Sequence, residues 1–326
     1  DALAAARREA EAAFGDGTVY VERLIEPARH VEVQLLGDRH GTVVALGERD
    51  CSVQRRHQKL VEEAPSPAVT PAIRDALLDS ARRLVAGTTF HSAATAEFLL
   101  DPEGNHFFLE MNTRLQVEHG VTELVSGLDL VAWQIRVAAG ERLSEDVVRS
   151  APRGHAIEVR VYAEDPWNGF APVGGRLSAW RMPEGPGIRV DAAGEPDMAL
   201  ATEYDPLLAK LMVHAEDRPA ALARLRRALD ETLIGGVATD LGFHRWLVDH
   251  PDFAAGTYDT GFVAEHWRAG PGLADETRSL AATAAALARA AEDGTARDAR
   301  RAPAADDAVP GDWARLARRE ATLRWP

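Results

Sequence analysis

One cysteine in 326 residues, Cys51, excludes an intramolecular disulfide framework and fits a reducing compartment. Basic residues are in the minority, 37 against 51 acidic, and the formal charge of −14 sets the averaged field against nucleic acid and anionic membrane alike. A local basic pocket for an anionic substrate is still allowed. No apolar run approaches the roughly 18 residues of a membrane span, and no signal-peptide pattern opens the chain. The expectation is a soluble, cytoplasmic protein with neither nucleic acid nor membrane as partner. No G-x-x-x-x-G-K-S/T sequence occurs, which excludes a P-loop enzyme. An initiating methionine is also absent, and DALAAARREAEAAFGDG reads as a helix entered midway, so the chain is expected to begin inside a larger protein.

What is present suffices for a substantial core, since 46% of the residues are hydrophobic. Alternating, β-branched segments over 18–25, 30–38 and 42–50 read as strands, with a turn over 37–41. Thr70 and Pro71 supply an N-cap and a first-turn proline to a helix whose Ile73, Leu77, Leu78, Ala81, Leu84 and Val85 share a face before Gly87 closes it. Strands follow over 94–100 and 106–118, and Thr122 is read as the cap of a helix running to Gly140. A second unit opens near 153, with strand-like pieces at 176–190 and 207–214 and a helix over 218–233. An Ala/Arg-rich tail then carries a helix over 276–293 and a short terminal helix. The mixture implies an α+β fold, divided as 1–150, 151–268 and 269–326.

The stretch FLEMNTRLQVEHG, taken as a strand, places Glu110, Asn112, Arg114, Gln116 and Glu118 in file on one side. The preceding EFLLDPEGNHFFLE reads as a hairpin turning through Pro102, Glu103, Gly104 and Asn105, with Asp101 facing His106 and Leu100 facing Phe107. Glu97 then lands opposite Glu110, about 5 Å away between Cβ atoms. At an effective dielectric near 20 two such charges repel by roughly 3 kcal/mol. Either a divalent cation bridges them, with Asn112 as a third hard oxygen ligand, or a register shift splays them into solvent. Arg114, Gln116 and Glu118 continue the same face as fixed donors followed by a proton acceptor. A solvated charged strand is the plainer alternative. Arg55, Arg56, His57 and Lys59 form a basic cluster in an acidic chain. With no aromatic residues interleaved, it suits a phosphate or bicarbonate pocket better than nucleic acid, or else it is an exposed basic turn.

Taken together, ERLIEPARHVEVQ, GERDCSVQRRHQKLVEEAP, EFLL with FFLEMNTRLQVEHGVTE, and RGHAIEVRVYAEDP closely resemble the biotin carboxylase component of biotin-dependent carboxylases, members of the ATP-grasp superfamily. The resemblance implies part of an ATP-grasp domain over 1–150, a biotin carboxylase C-terminal domain over 151–268 and a short helical tail. It implies ATP- and bicarbonate-dependent carboxylation of biotin through carboxyphosphate, with ATP and Mg²⁺ or Mn²⁺ as cofactors and biotin held on a separate carrier protein. By position, Glu97 and Glu110 match metal-binding glutamates, with Asn112 beside them. Glu22, Arg23 and Ile25 match the adenine hinge, His30 the ribose side, and Gln54, His57 and Leu99 the nucleotide pocket. Lys59, Arg114, Gln116 and the backbone of Val117 match the bicarbonate site. Glu118 matches the general base and Arg160 the residue that stabilises the biotin enolate.

Three departures accompany the match: Arg23 stands where a lysine is common, Gly120 where a proline is usual, and Ser92-Ala93-Ala94 where the run is richer in glycine. The resemblance also implies that an N-terminal subdomain and a glycine-rich lid lie before residue 1, so the fragment alone is expected to be inactive. EMNTRLQVEH with EEAPSP upstream looks like the acyl-CoA carboxylases. No Met-Lys attachment sequence occurs, which makes a biotin carboxyl carrier protein and a carboxyltransferase subunit the expected partners, in a homodimer or larger assembly. Two other readings stand beside this one. A carbamoyl-phosphate-type ligase would need neither Arg160 nor a carrier. A catalytically inactive assembly scaffold would have no reason to keep Glu97, Glu110, Arg114 and Glu118.

Overall fold

The computed structural model describes residues 2–268 apart from Tyr204; the two tail helices expected beyond 268 lie outside the described residues. One eight-stranded antiparallel sheet organises the chain. Its strands are β1 (Arg29–Gly37), β2 (Val43–Arg55), β3 (Gln58–Ala64), β4 (Ser92–Leu100), β5 (His106–Asn112), β6 (His155–Tyr162) and two more, Ile188–Ala192 and Leu207–Ala215. In space they run Ile188–Ala192, Leu207–Ala215, β6, β3, β2, β1, β4, β5. Strands from both sides of residue 150 therefore share one sheet, joined where β3 pairs with β6.

Period-2 alternation sets the two faces of β1. Val31, Val33 and Leu35 pack with Ala96, Phe98 and Leu100 against helix α2 (Pro71–Val85). That helix begins as the sequence predicts: Thr70 accepts from the Ile73 N–H at 3.3 Å and Pro71 occupies the first turn. Its buried side chains are Leu77, Ala81 and Val85, four residues apart, while Leu84 lies exposed at the edge. Truncating Leu77 to Ala at such a site costs roughly 2–5 kcal/mol. The opposite face of β1 carries His30, Glu32 and Gln34, all buried. A second core joins β6 and Leu207–Ala215 to the helix Arg218–Glu231, through residues such as Val159, Leu211 and Leu225.

Four expectations need correction. Residues 18–25 form no strand: Tyr20, Val21 and Leu24 stand exposed in coil, paired with no strand among the described residues. The strand expected over 106–118 ends at Asn112, and 113–118 is an irregular segment. The long helix headed by Thr122 is two helices, α3 (His119–Ser126) and α4 (Leu130–Ala138). Gly127 stops the first in the left-handed region at φ 72°, and Asp129 restarts the second by accepting from the Ala132 N–H at 2.7 Å. Thr122 lies inside α3 and its hydroxyl serves the buried site.

The fourth correction concerns the β4–β5 hairpin. Leu100, not Asp101, pairs with His106, because Asp101 closes the loop itself. Its N–H donates to the Asn105 carbonyl, and its carboxylate takes the Asn105 N–H at 2.7 Å and the side-chain amide at 2.9 Å. A bulge between Glu97 and Phe98 then restores the one-residue difference, and Glu97 still faces Glu110.

Candidate active site

Strand register lines up the polar side chains in rows across the sheet. Glu110 of β5 faces Glu97 of β4, Glu97 faces Glu32 of β1, and Glu32 faces Arg49 of β2. One step along, Asn112 faces Thr95 and Thr95 faces Gln34. Glu97, Glu110 and Asn112 of these rows line a cleft of about 1570 Å³. Of the residues singled out from the sequence, all line this cleft except Glu22 and Arg23. Those two are exposed in the coil before β1, with the Arg23 guanidinium 5.1 Å from the centre of the Phe107 ring.

The basic cluster is the β2–β3 hairpin. Arg55 pairs with Gln58, leaving Arg56 and His57 as a two-residue tip at φ 49° and 66°. Left-handed backbone at two successive non-glycine residues is strained, and it turns the tip over the cleft. Lys59 follows on β3 and serves three carboxylates: Glu32 at 2.6 Å, Glu118 at 2.6 Å and Glu97 at 3.2 Å. Three donors meet three acceptors, so its hydrogen-bonding capacity is filled.

Glu97 is the hub. Its Oε2 meets His30 Nε2 at 2.6 Å, and its Oε1 accepts from Lys59, from Gln116 at 2.7 Å and from Asn112 at 2.9 Å. Burial presses its pKa upward, but hydrogen bonding from His30 and the Lys59 charge outweigh it and hold the carboxyl at about 2. Glu32 behaves alike. Burial opposes its ionisation, Arg49 and Lys59 overcome that, and the result is again about 2.

Beyond β5 the chain continues as loop and still converges. Gln116 is buried and bonds Glu97, while Glu118 is buried between two cations, Lys59 on Oε1 and Arg160 on Oε2 at 2.9 Å. Arg160 comes from β6 and also binds Glu62. Its own backbone carbonyl is met by His244 at 2.8 Å. Arg114 is exposed at the cleft wall, where it donates to the neighbouring Leu115 carbonyl. The Val117 carbonyl is held by Lys210 at 2.9 Å.

Sequence reasoning missed the support beneath these residues. Arg49, fully buried, bonds Glu32, Gln34 at 2.7 Å and Thr122 at 2.8 Å, with longer contacts to Thr95 and Gln116. The signal was available, because HVEVQ shows the same polar file inside an apolar strand that drew attention to FLEMNTRLQ. Ser92, noted as a departure from glycine, sits at φ 77°, where glycine is unstrained.

The donor set at the β4–β5 hairpin fits a hard divalent cation. Asn112 already donates to both facing carboxylates, at 2.9 and 3.0 Å, so the three side chains converge on one point. All can offer oxygen.

Residues 1–146 match the carbamoyl-phosphate synthase L chain ATP-binding domain, and residues 158–265 match the biotin carboxylase C-terminal domain. Biotin carboxylase 2 of Populus trichocarpa is 48% identical over 267 residues, covering 81% of this chain and 50% of that protein. A Campylobacter jejuni biotin carboxylase solved with a β,γ-ATP ligand superposes with a TM-score of 0.78 at 43% identity, covering 81% of this chain and 59% of the other. The biotin carboxylase domain dimer of Hydrogenobacter thermophilus 2-oxoglutarate carboxylase, solved with MgADP, ADP and bicarbonate, gives 0.77 at 44% identity, with 81% and 58% covered. The chain spans about half the length of the curated relatives it matches. The second matched domain separates it from a carbamoyl-phosphate-type ligase. With an ATP-grasp-type α+β fold and this C-terminal domain, the chain belongs to the biotin carboxylase family.

Proposed function

We propose that this chain carries the biotin-carboxylating centre of an acyl-CoA carboxylase, which uses ATP and bicarbonate to carboxylate N1 of biotin on a separate carrier protein. The observation that carries the reading is Glu118, one buried carboxylate clasped by Lys59 from β3 and Arg160 from β6. A base, an anion-binding ammonium and a guanidinium from the second matched domain thus meet within hydrogen-bonding distance. A carrier-dependent reaction needs all three.

Bicarbonate is the anion that fits beside Glu118. Lys59 has no free donor, so the anion enters by replacing one of its three carboxylate contacts, with Arg114, Gln116 and the Val117 backbone completing the clamp. Glu118 accepts the bicarbonate proton. The freed oxygen attacks the γ-phosphorus of ATP, a P–O bond forms, the bridge to the β-phosphate breaks, and ADP leaves carboxyphosphate behind. The C–O bond of carboxyphosphate then breaks, the released phosphate takes the N1 proton of biotin, and N1 takes up the carboxyl group while Arg160 faces the charge that develops on the ureido oxygen. Glu97, Glu110 and Asn112 are the residues that would hold Mg²⁺ or Mn²⁺, which supplies charge neutralisation and orientation for the phosphates. Ile25, His30, Gln54, His57 and Leu99 wall the nucleotide end of the cleft, with Glu22 and Arg23 at its margin.

The partners that follow are a biotin carboxyl carrier protein, a carboxyltransferase subunit and a second copy of this chain, and the compartment is the cytoplasm. The test is bicarbonate-dependent phosphate release and carboxybiotin formation by a longer protein that contains this chain, with free biotin as acceptor. Neither activity in a protein that binds Mg-ATP would overturn the reading.

A further inference from the structure

Next to Arg160, β3 and β6 set Glu62 directly opposite Glu158. Both are completely buried, and neither lines the cleft. Opposed residues on paired antiparallel strands hold their Cβ atoms roughly 5 Å apart. Among the described residues, only Glu62 Oε1 of the four carboxyl oxygens has a donor, taking Arg160 Nε at 2.7 Å and Nη2 at 2.6 Å. Glu62 Oε2 and both oxygens of Glu158 have no partner among the described residues.

The surroundings of Glu158 explain why no donor arrives. On its other flank the register partner is Met212, and α3 presents Gly120, whose missing Cβ leaves room for the Met212 sulfur and for Glu158 Oε2. The charged groups that act on it are Glu62, Lys210, Arg160 and Glu118. Lys210 is committed to the Val117 carbonyl and Asp191, and Arg160 to Glu62, Glu118 and Tyr162. Two bare, facing, buried carboxylates are the least favourable state open to such a pair. A single proton removes the repulsion and supplies the missing donor.

We propose that Glu62 and Glu158 hold one proton between them as an acid–carboxylate pair, and that this pair positions Arg160. Glu158 carries the proton and hydrogen-bonds across the strands, while Glu62 keeps the negative charge that grips Arg160 along its Nε–Nη2 edge. Burial, the largest influence on Glu158, presses its carboxyl well above the ordinary range, with Glu62 adding to the effect. Fastened on that edge, the guanidinium presents Nη2 to Glu118 and lines the cleft. The consequence for carboxylation rests on the role proposed above for Arg160; the shared proton does not.

The test combines infrared and kinetic measurements on wild type, Glu158→Gln, Glu62→Gln and Glu62→Asp, in the 326-residue chain and in any longer active protein containing it. Wild type should show the carbonyl band of a protonated carboxyl at neutral pH. Glu158→Gln should lose that band and keep its melting temperature, since the amide donates in place of the acid. Glu62→Gln should lower carboxybiotin formation by roughly tenfold to a hundredfold with a much smaller change in bicarbonate-dependent ATP cleavage, and Glu62→Asp should restore part of the loss. Absence of the band in wild type, or its survival in Glu158→Gln, overturns the shared proton. Equal loss of both activities in Glu62→Gln overturns the positioning role. If Arg160→Met also fails to separate the two activities, the assigned role of Arg160 falls with it, while the infrared result stands independently.

Discussion

Arg49 lies directly opposite Glu32 in the β1–β2 ladder, and neither reaches solvent. The pair is tied to β4 through Thr95, to α3 through Thr122 and to the loop after β5 through Gln116. A buried ion pair is weak evidence for stability, but breaking one by removing a single partner leaves a bare charge. Here the pair fixes the site, because Glu32 also takes one donor of Lys59.

Arg49→Met is therefore expected to cost roughly 3–5 kcal/mol of unfolding free energy, as an uncompensated buried carboxylate does. Adding Glu32→Gln to that variant should recover part of the loss, which urea denaturation of both variants would show. Additive losses would mean the two residues do not act as a pair.

Glu63 gives the pH prediction. Burial presses its pKa up, but hydrogen bonds from His155 and Arg218 outweigh that and hold it at about 2, below the ordinary 4.5. A depressed carboxylate contributes stability above its unfolded pKa and loses it as pH falls through the folded value. Wild type should thus lose about 3 kcal/mol from this group between pH 4.5 and pH 2. Glu63→Gln, less stable at neutral pH through its stranded partners, should show a shallower decline over that window. Parallel declines would contradict the assignment.

The facing glutamates differ in a way the hairpin argument alone did not show. Glu97 is buried and bonded by His30, Lys59, Gln116 and Asn112, whereas Glu110 is exposed and, among the described residues, bonded by Asn112 alone. Without Mg²⁺, Glu110→Gln should leave the melting temperature unchanged or raised, and Glu97→Gln should lower it. Calorimetry should show weaker Mg-ATP binding by both. Unchanged affinity in the two variants would remove the metal assignment.

Much of this was legible because strand periodicity and chemistry coincide. The alternation in RHVEVQLLG and the opposition of Glu97 to Glu110 follow from a side-chain period of two, and Thr70-Pro71 announces its helix. The hairpin reached the right pairing by two compensating differences, since neither the Asp101 clamp nor the bulge before Phe98 has a periodic signature. The stretch 18–25 misled because alternation alone does not specify a strand to pair with. Arg49, Glu62 and Glu158 were passed over because charge along one strand, even beside Glu48, Asp50, Glu63 and Arg160, does not say which strand will face it.

Glu118 between Lys59 and Arg160 is the centre of the account, and the direct measurement is phosphate release, carboxybiotin and melting temperature on Glu118→Gln and Arg160→Met in the active protein. Glu118→Gln keeps shape while deleting the proton acceptor, so Mg-ATP should still bind while bicarbonate-dependent cleavage falls by roughly 10² to 10⁴. Arg160→Met should retain substantial ATP cleavage while carboxybiotin formation collapses. Parallel loss of phosphate release, carboxybiotin and thermal stability in both variants would instead make the Glu118–Arg160 contact a structural tie between β6 and the loop after β5, and would contradict the assigned roles.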